Sequence, residues 1–97
     1  MNIFITGASR GLGLEFVKQF KAQGNNVTAS CRDPENAHEL QKTTALENII
    51  NLDVSSPISL KSAAKELQTR TEIIDILINN AGIIGPKNEF YAESKSL

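Results

Sequence analysis

Apolar and polar residues fall in blocks along this chain, and each block's period points to an element. The run "NIFIT", from Asn2, is short and apolar, closes at Gly7 and reads as a buried strand. The period then changes. Gly13, Phe16, Val17 and Phe20 fall at i, i+3, i+4 and i+7, while Glu15, Lys18, Gln19 and Lys21 point elsewhere. That spacing predicts an amphipathic helix with Lys21 in its last turn and Gly24 as its stop. "NVTASC" is a second strand. "DPEN" predicts a helix start, with Asp33 as N-cap, Pro34 at the first helical position and Glu35 behind it.

"NIINLDV" supplies a third strand, and "SSPISLKSAAKELQ" a third helix, with Ser56 as cap before Pro57. Leu60, Ala63, Ala64 and Leu67 form that helix's apolar stripe. "EIIDILINNAG" is the fourth strand; Ile76 to Ile78 are apolar without alternation, which predicts burial on both faces. Strand and helix alternate throughout, so the expected fold class is α/β, a parallel sheet with helices on both faces. Fifteen mostly polar residues follow Gly82. A parallel crossover alone needs about a dozen, so no fifth strand is expected.

A chain of 97 residues is one small domain or part of a larger one. Such a domain buries only about 60–65% of its unfolded surface, so its stability margin is thin. The net charge is −1 and the basic residues are dispersed, which gives no argument for nucleic acid or an anionic membrane as partner. Cys31 is the only cysteine, which excludes an internal disulfide and favours a reducing compartment. The first strand begins at Asn2, leaving no room for a signal peptide, and no apolar run reaches membrane-spanning length. A soluble cytoplasmic protein is the expectation.

Candidate chemistry begins at "TGASRGLG", Thr6 to Gly13. A strand, a glycine-rich turn and a helix start together suit a phosphate. The first helical amides lack internal partners, and the helix dipole adds positive charge there. Gly7 would permit the tight turn, Gly11 a close backbone approach to a pyrophosphate, and Gly13 close seating of the helix on the sheet. The competing reading is a glycine-rich turn that holds no ligand.

The TGxxxGxG spacing, paired with "NNAG" from Asn79 to Gly82, resembles the short-chain dehydrogenase/reductase family. "SCRDP" and "NNAGIIGP" further resemble its C-factor and sniffer-type carbonyl reductase branch. The resemblance implies a Rossmann-like, doubly wound parallel sheet of order 3-2-1-4, here truncated after the fourth strand. Residues 1–97 would be an NADP(H)-binding half-domain, incomplete at the C-terminus. It also implies that Ser9, Arg10 and Leu12 contact the cofactor phosphates and ribose. Asp53, with the amide of Val54, would meet the adenine; a plain turn role for Asp53 is the alternative. Asn80, Ala81 and Gly82 would line the cofactor. Where NAD-preferring forms carry an acid after the second strand, this chain has Cys31 followed by Arg32. That favours NADP(H) over NAD(H), with Arg32 and Arg10 near the extra phosphate. Cys31 reads as a packing residue and His38 as a surface one.

"YAESK" matches the Tyr-x-x-x-Lys spacing the family uses for catalysis, with i and i+4 on one helix face. In the family that pair lies far beyond the "NNAG" element, on a helix after a fifth strand. Tyr91 follows Gly82 by nine residues, with no serine-bearing strand between. Tyr91 and Lys95 are therefore expected to be non-catalytic, and the chain to carry no catalytic residue of its own. Two functions are expected. One is the cofactor-binding half of an NADP(H)-dependent carbonyl oxidoreductase, inactive alone. The other is a non-catalytic, truncated nucleotide-binding or interaction module. A fourth strand without a neighbour would also promote self-association along its apolar edge.

Overall fold

The computed structural model describes residues 1–70 and 73–80. In chain order the elements are β1 (Asn2–Ile5), α1 (Gly11–Ala22), β2 (Asn26–Cys31), α2 (His38–Thr43), β3 (Ile49–Asn51), α3 (Pro57–Arg70) and β4 (Ile76–Ile78). The strands form one parallel sheet of order β3-β2-β1-β4. β1 is central: Ile3 aligns with Val27 and Ile76, and Ile5 with Ala29 and Ile78.

Successive strand side chains point to opposite faces, so β1 feeds two cores. Ile3 and Ile5 pack with Leu14 and Val17 of α1 and Leu40 of α2. Phe4 packs on the other face with Ile50, Leu52 and Ala63 of α3. Helices therefore cover both faces of the sheet, as the alternation predicts. Ile3, Ile5, Val17, Leu40 and Ile50 are fully buried, each contributing about 1.5–3 kcal/mol of apolar transfer.

The helix ends follow local chemistry. Gly24 sits at φ 89°, its N–H donates to the Lys21 carbonyl at 2.9 Å, and the Asn25 N–H donates to the Phe20 carbonyl at 3.1 Å. That paired closure satisfies two carbonyls the helix would otherwise leave bare. At the start of α3 the Ser59 N–H donates to Ser56 Oγ at 3.2 Å, so Ser56 caps as expected.

The segment after β2 differs from expectation. Pro34–Asn36 make one 3-10 turn, and α2 begins only at His38. Asp33 makes no side-chain cap to the backbone; its carboxylate accepts the Asn36 side-chain amide at 2.7 Å. Ala37, at φ −87° and ψ 69°, breaks the helical path between the two pieces. Gln41 bridges them by donating to the Pro34 carbonyl.

β4 is not buried on both faces. Ile76 and Ile78 pack against the α1–α2 core, but Leu77 is 61% exposed. α3 buries Ala63 against Phe4 and Leu52, leaving a hollow of about 500 Å³ between α3 and β4. Leu60 and Ala64 therefore remain exposed rather than completing the expected stripe.

Candidate functional site

The carboxyl ends of the parallel strands meet along one edge of the sheet. The chain order reverses there, since β2 and β3 lie on one side of β1 and β4 on the other. In open α/β sheets this switch point is where ligands bind.

The glycine loop occupies it. Gly7 takes φ 62° as the chain leaves β1, Arg10 is extended, and Gly11 takes φ 59° as α1 begins. Both glycines sit in the left-handed region that other residues enter at a cost. Arg10 supplies no side-chain cap, and the first turn of α1 carries no acid. The first amide to find an acceptor is that of Leu14, which donates to the Arg10 carbonyl at 3.3 Å. The Gly11, Leu12 and Gly13 amides thus have no acceptor among the described residues, and they sit at the positive end of the helix.

The loop is lashed to its neighbours on both sides. The Ala8 N–H donates to the Ser30 carbonyl of β2 at 2.9 Å, and the Thr6 N–H to the Ile78 carbonyl of β4 at 3.0 Å. The Thr6 hydroxyl donates to Asn79 Oδ1 at 3.1 Å. Asn80 Nδ2 donates to the Gly7 carbonyl at 3.0 Å.

The glycines play separate parts. A Cβ on Gly13 would lie 2.1 Å from the Gly7 oxygen and 2.7 Å from Asn80 Nδ2, so helix, loop and β4 end meet there without room for a side chain. A Cβ on Gly11 would meet nothing within 4 Å. Gly13 thus serves close packing against the Gly7 carbonyl and Asn80, and Gly11 faces open space. Around that space Ser9 is half-buried, Arg10 is exposed and Leu12 is 63% exposed.

At the neighbouring strand ends, Cys31 turns into the α1–α2 core at 4% exposure, while Arg32 is exposed. Burial pushes the Cys31 thiol up, and the Asp33 carboxylate adds to this against an opposing backbone hydrogen bond. Asp53 follows β3. Its Oδ1 accepts the Ser55 hydroxyl at 2.7 Å and the Ser55 N–H at 3.0 Å. These bonds hold its carboxyl below the usual range, with the Arg32 guanidinium adding a smaller pull. Arg32 and Asp53 follow the ends of the adjacent strands β2 and β3. Asp53 does perform the turn role that its spacing allowed.

The structure thus joins Gly7, Gly13 and Asn80, with Gly11 opening α1 beside them. Ser9, Arg10 and Leu12 belong to the same loop and helix start, Arg32 and Asp53 follow the ends of β2 and β3, and Val54 packs against the α3-side core. Ala81, Gly82, Tyr91 and Lys95 lie outside the described residues. Thr6 and Asn79 entered the sequence motifs without a role of their own, and Ser55 was not singled out, although Asp-x-Ser spacing is a known signature of a side-chain-closed turn. Among the described residues no cluster of His, Cys, Asp and Glu could hold a metal ion, and no helix is long and apolar enough to cross a membrane.

A family model for short chain dehydrogenase matches residues 1–96, and the chain belongs to that family. It is 38% identical over 87 residues to salutaridine reductase of Papaver somniferum, covering 84% of this chain and 28% of that protein. Among solved structures it resembles the putative carbonyl reductase Sniffer of Caenorhabditis elegans, with TM-score 0.77, 31% identity, and coverage of 86% of this chain and 37% of that one. It also resembles a 3-ketoacyl-(acyl-carrier-protein) reductase from Brucella melitensis complexed with NADH. There the TM-score is 0.67, the identity 25%, and the coverage 78% of this chain and 32% of that one. The chain spans less than a third of the length of the first curated relatives it matches.

Proposed function

We propose that residues 1–97 form the nicotinamide-dinucleotide half of a cytoplasmic short-chain oxidoreductase that uses NADP(H) to move hydride to and from a carbonyl carbon. The observation that carries this reading is that the Gly11, Leu12 and Gly13 amides have no acceptor among the described residues, with open space beside Gly11. A diphosphate there would accept those N–H groups and meet the positive end of α1. The relatives support it: one matching structure is a reductase complexed with NADH, another a putative carbonyl reductase.

The preference for NADP(H) rests on the exposed Arg32 beside a buried Cys31, which stands where an acid would favour NAD(H), while the Asp33 carboxylate is engaged by the Asn36 side chain. A charged hydrogen bond to the 2′-phosphate is worth about 1.5–3 kcal/mol, which gives about ten- to a hundredfold selectivity. Nucleotide fluorescence titrated with the chain tests both points. NADPH should bind tighter than NADH by about that factor, and Arg32→Ala should bring the two near parity. Equal affinities in the unaltered chain would overturn the preference.

The uncovered outer side of β4, which pairs with β1 alone among the described residues and exposes Leu77, supports a second reading, in which this chain is a non-catalytic nucleotide-binding or interaction module. A panel of aldehydes and ketones incubated with chain and NADPH tests the expectation, common to both readings, that the chain alone does not turn over. No oxidation is expected from the chain alone, and turnover abolished by Tyr91→Phe would show that the Tyr91–Lys95 pair is catalytic.

A further inference from the structure

The N–H and C=O of one strand residue point to the same edge of the strand, and successive residues alternate. The Thr6 N–H donates to the Ile78 carbonyl, and Ile3 and Ile5 align with Ile76 and Ile78. Ile76 and Ile78 therefore turn their backbone groups to β1, while Leu77 turns both of its own outward. Those two groups have no partner among the described residues. The Leu77 side chain is exposed over the hollow beside α3, and Asp75 lines the same hollow. Strand edges are commonly blunted by lysine or proline. Residues 75–79 carry neither.

This outward side is complementary to its own reverse. At every second position it reads Asp75, Leu77, Asn79. Turned antiparallel about Leu77, a second copy sets leucine against leucine and Asp75 of each copy against Asn79 of the other. The two leucines then form a hydrogen-bonded pair that exchanges both N–H···O bonds. Asp75 Oδ2 accepts the Asn2 N–H at 2.7 Å, and its Oδ1 has no donor among the described residues. Asn79 Oδ1 accepts the Thr6 hydroxyl, and its Nδ2 has no acceptor among them. A carboxylate oxygen and an amide N–H are a matched acceptor and donor. Sliding the register by two residues, to centre on Asp75, would set the two carboxylates face to face, which is unfavourable. Directly opposed side chains share a face of the sheet. Both α3 helices therefore lie on one side, and the two leucine side chains meet over the seam between the two hollows.

We propose that β4 is a homodimer interface: two copies pair antiparallel about a two-fold axis at Leu77, joining two four-stranded sheets into one of eight strands. In this arrangement the Asp75 carboxylate of each copy takes the Asn79 side-chain amide of the other. The contact is isologous, so every pairing occurs twice. It is independent of the dinucleotide reading above.

Disulfide trapping and sedimentation velocity of the full chain test it. Opposed Cα atoms in such a pair lie about 5.5 Å apart, within disulfide reach. Leu77→Cys should therefore form a covalent dimer under a mild oxidant. The one native thiol, Cys31, is buried, so the unaltered chain should not. Asp75→Cys should not either, because its own counterpart lies roughly 13 Å or more along the strands. Asn79→Asp sets like charges opposite one another twice and should weaken dimerisation about tenfold or more, with circular dichroism unchanged. Adding Asp75→Asn should restore it. A monomer at every concentration, or a dimer that Leu77→Cys does not trap, overturns the interface. Trapping through Asp75→Cys, an Asn79→Asp variant that dimerises normally, or no rescue by Asp75→Asn overturns the register.

Discussion

Asn80 and Gly7, 73 residues apart, are joined by a 3.0 Å hydrogen bond from the asparagine side-chain amide to the glycine carbonyl. The bond crosses from the end of β4 to the turn leaving β1, over the point where the sheet's order reverses. It also explains why the third residue of α1 must be glycine. The Gly7 oxygen and Asn80 Nδ2 together occupy the volume a Cβ on Gly13 would need.

Substitutions of the two glycines should therefore differ in kind. Gly13→Ala forces atoms apart at 2.1 Å, against backbone on one side and a bonded amide on the other. Overpacking of that sort costs about 1–3 kcal/mol or more. Gly11→Ala meets no neighbour but keeps a left-handed backbone, at about 1–2 kcal/mol. Urea unfolding should rank Gly13→Ala as the less stable. Equal midpoints would mean that the helix sits farther from the loop than the geometry gives.

Asn80→Ala should cost about 1 kcal/mol for the lost bond. Its larger effect should fall on nucleotide affinity, because the loop then loses its tie to β4 beyond the Thr6 contacts. Calorimetry with NADPH checks this. An affinity loss no greater than the stability loss predicts would mean that the loop keeps its shape without Asn80.

How much of this was legible depended on range. The stop of α1 needed only Lys21 and Gly24, and the paired closure found there is local chemistry read from local residues. Gly13's packing role followed from its spacing behind a strand. The segment "DPEN" carried a true start signal, yet Asp33 found the Asn36 side chain instead of a backbone N–H. Burial of Leu40 then placed α2 later in the chain. Leu77 failed for the opposite reason. Its apolar neighbours suggested two covered faces, but Leu77, aligned with Phe4, faces the hollow beneath α3, while Ile76 and Ile78 pack against the α1–α2 core. The Asn80–Gly7 and Ser55–Asp53 bonds depend on side-chain geometry that no periodicity encodes.

Ser30 should tolerate loss of its hydroxyl. It is 1% exposed in β2, and its Oγ finds no hydrogen-bond partner among the described residues. A buried, unsatisfied polar atom costs about 1–3 kcal/mol, so Ser30→Ala removes a penalty and leaves a methyl in its place. The melting temperature should rise by about 4–8 °C per kcal/mol gained in a chain of this size. A fall would point to an acceptor the hydroxyl already has.

Cys31 should make the fold sensitive to alkali. Unfolded, its thiol ionises near the ordinary value of 9.0; folded, burial raises that value. The folded state therefore holds its proton where the unfolded state has released it, so unfolding gains as pH rises. The contribution is intact below about 9.0 and is lost as pH climbs toward the folded value. Cys31→Ala should flatten the alkaline limb relative to the unaltered chain, and thiol reagents should react slowly until the protein unfolds. Fast reaction under native conditions would place the sulfur at the surface.

The outer side of β4 should drive self-association. β4 pairs with β1 alone, and among the described residues no strand lies beyond it. Its central residue, Leu77, is 61% exposed, Leu60 of α3 is 45% exposed, and Phe4 and Leu52 floor the hollow between them. Asp75 is the only charged residue lining that hollow among the described residues, and its carboxylate already accepts the Asn2 N–H at 2.7 Å. Unpaired backbone groups beside uncovered apolar side chains favour pairing with another copy, and a charge on the strand opposes it. Sedimentation velocity over a wide concentration range should show the mean mass rising above the monomer. Leu77→Lys should return it to the monomer with circular dichroism unchanged. A constant monomer mass for the unaltered chain would mean that this edge is already covered within one molecule.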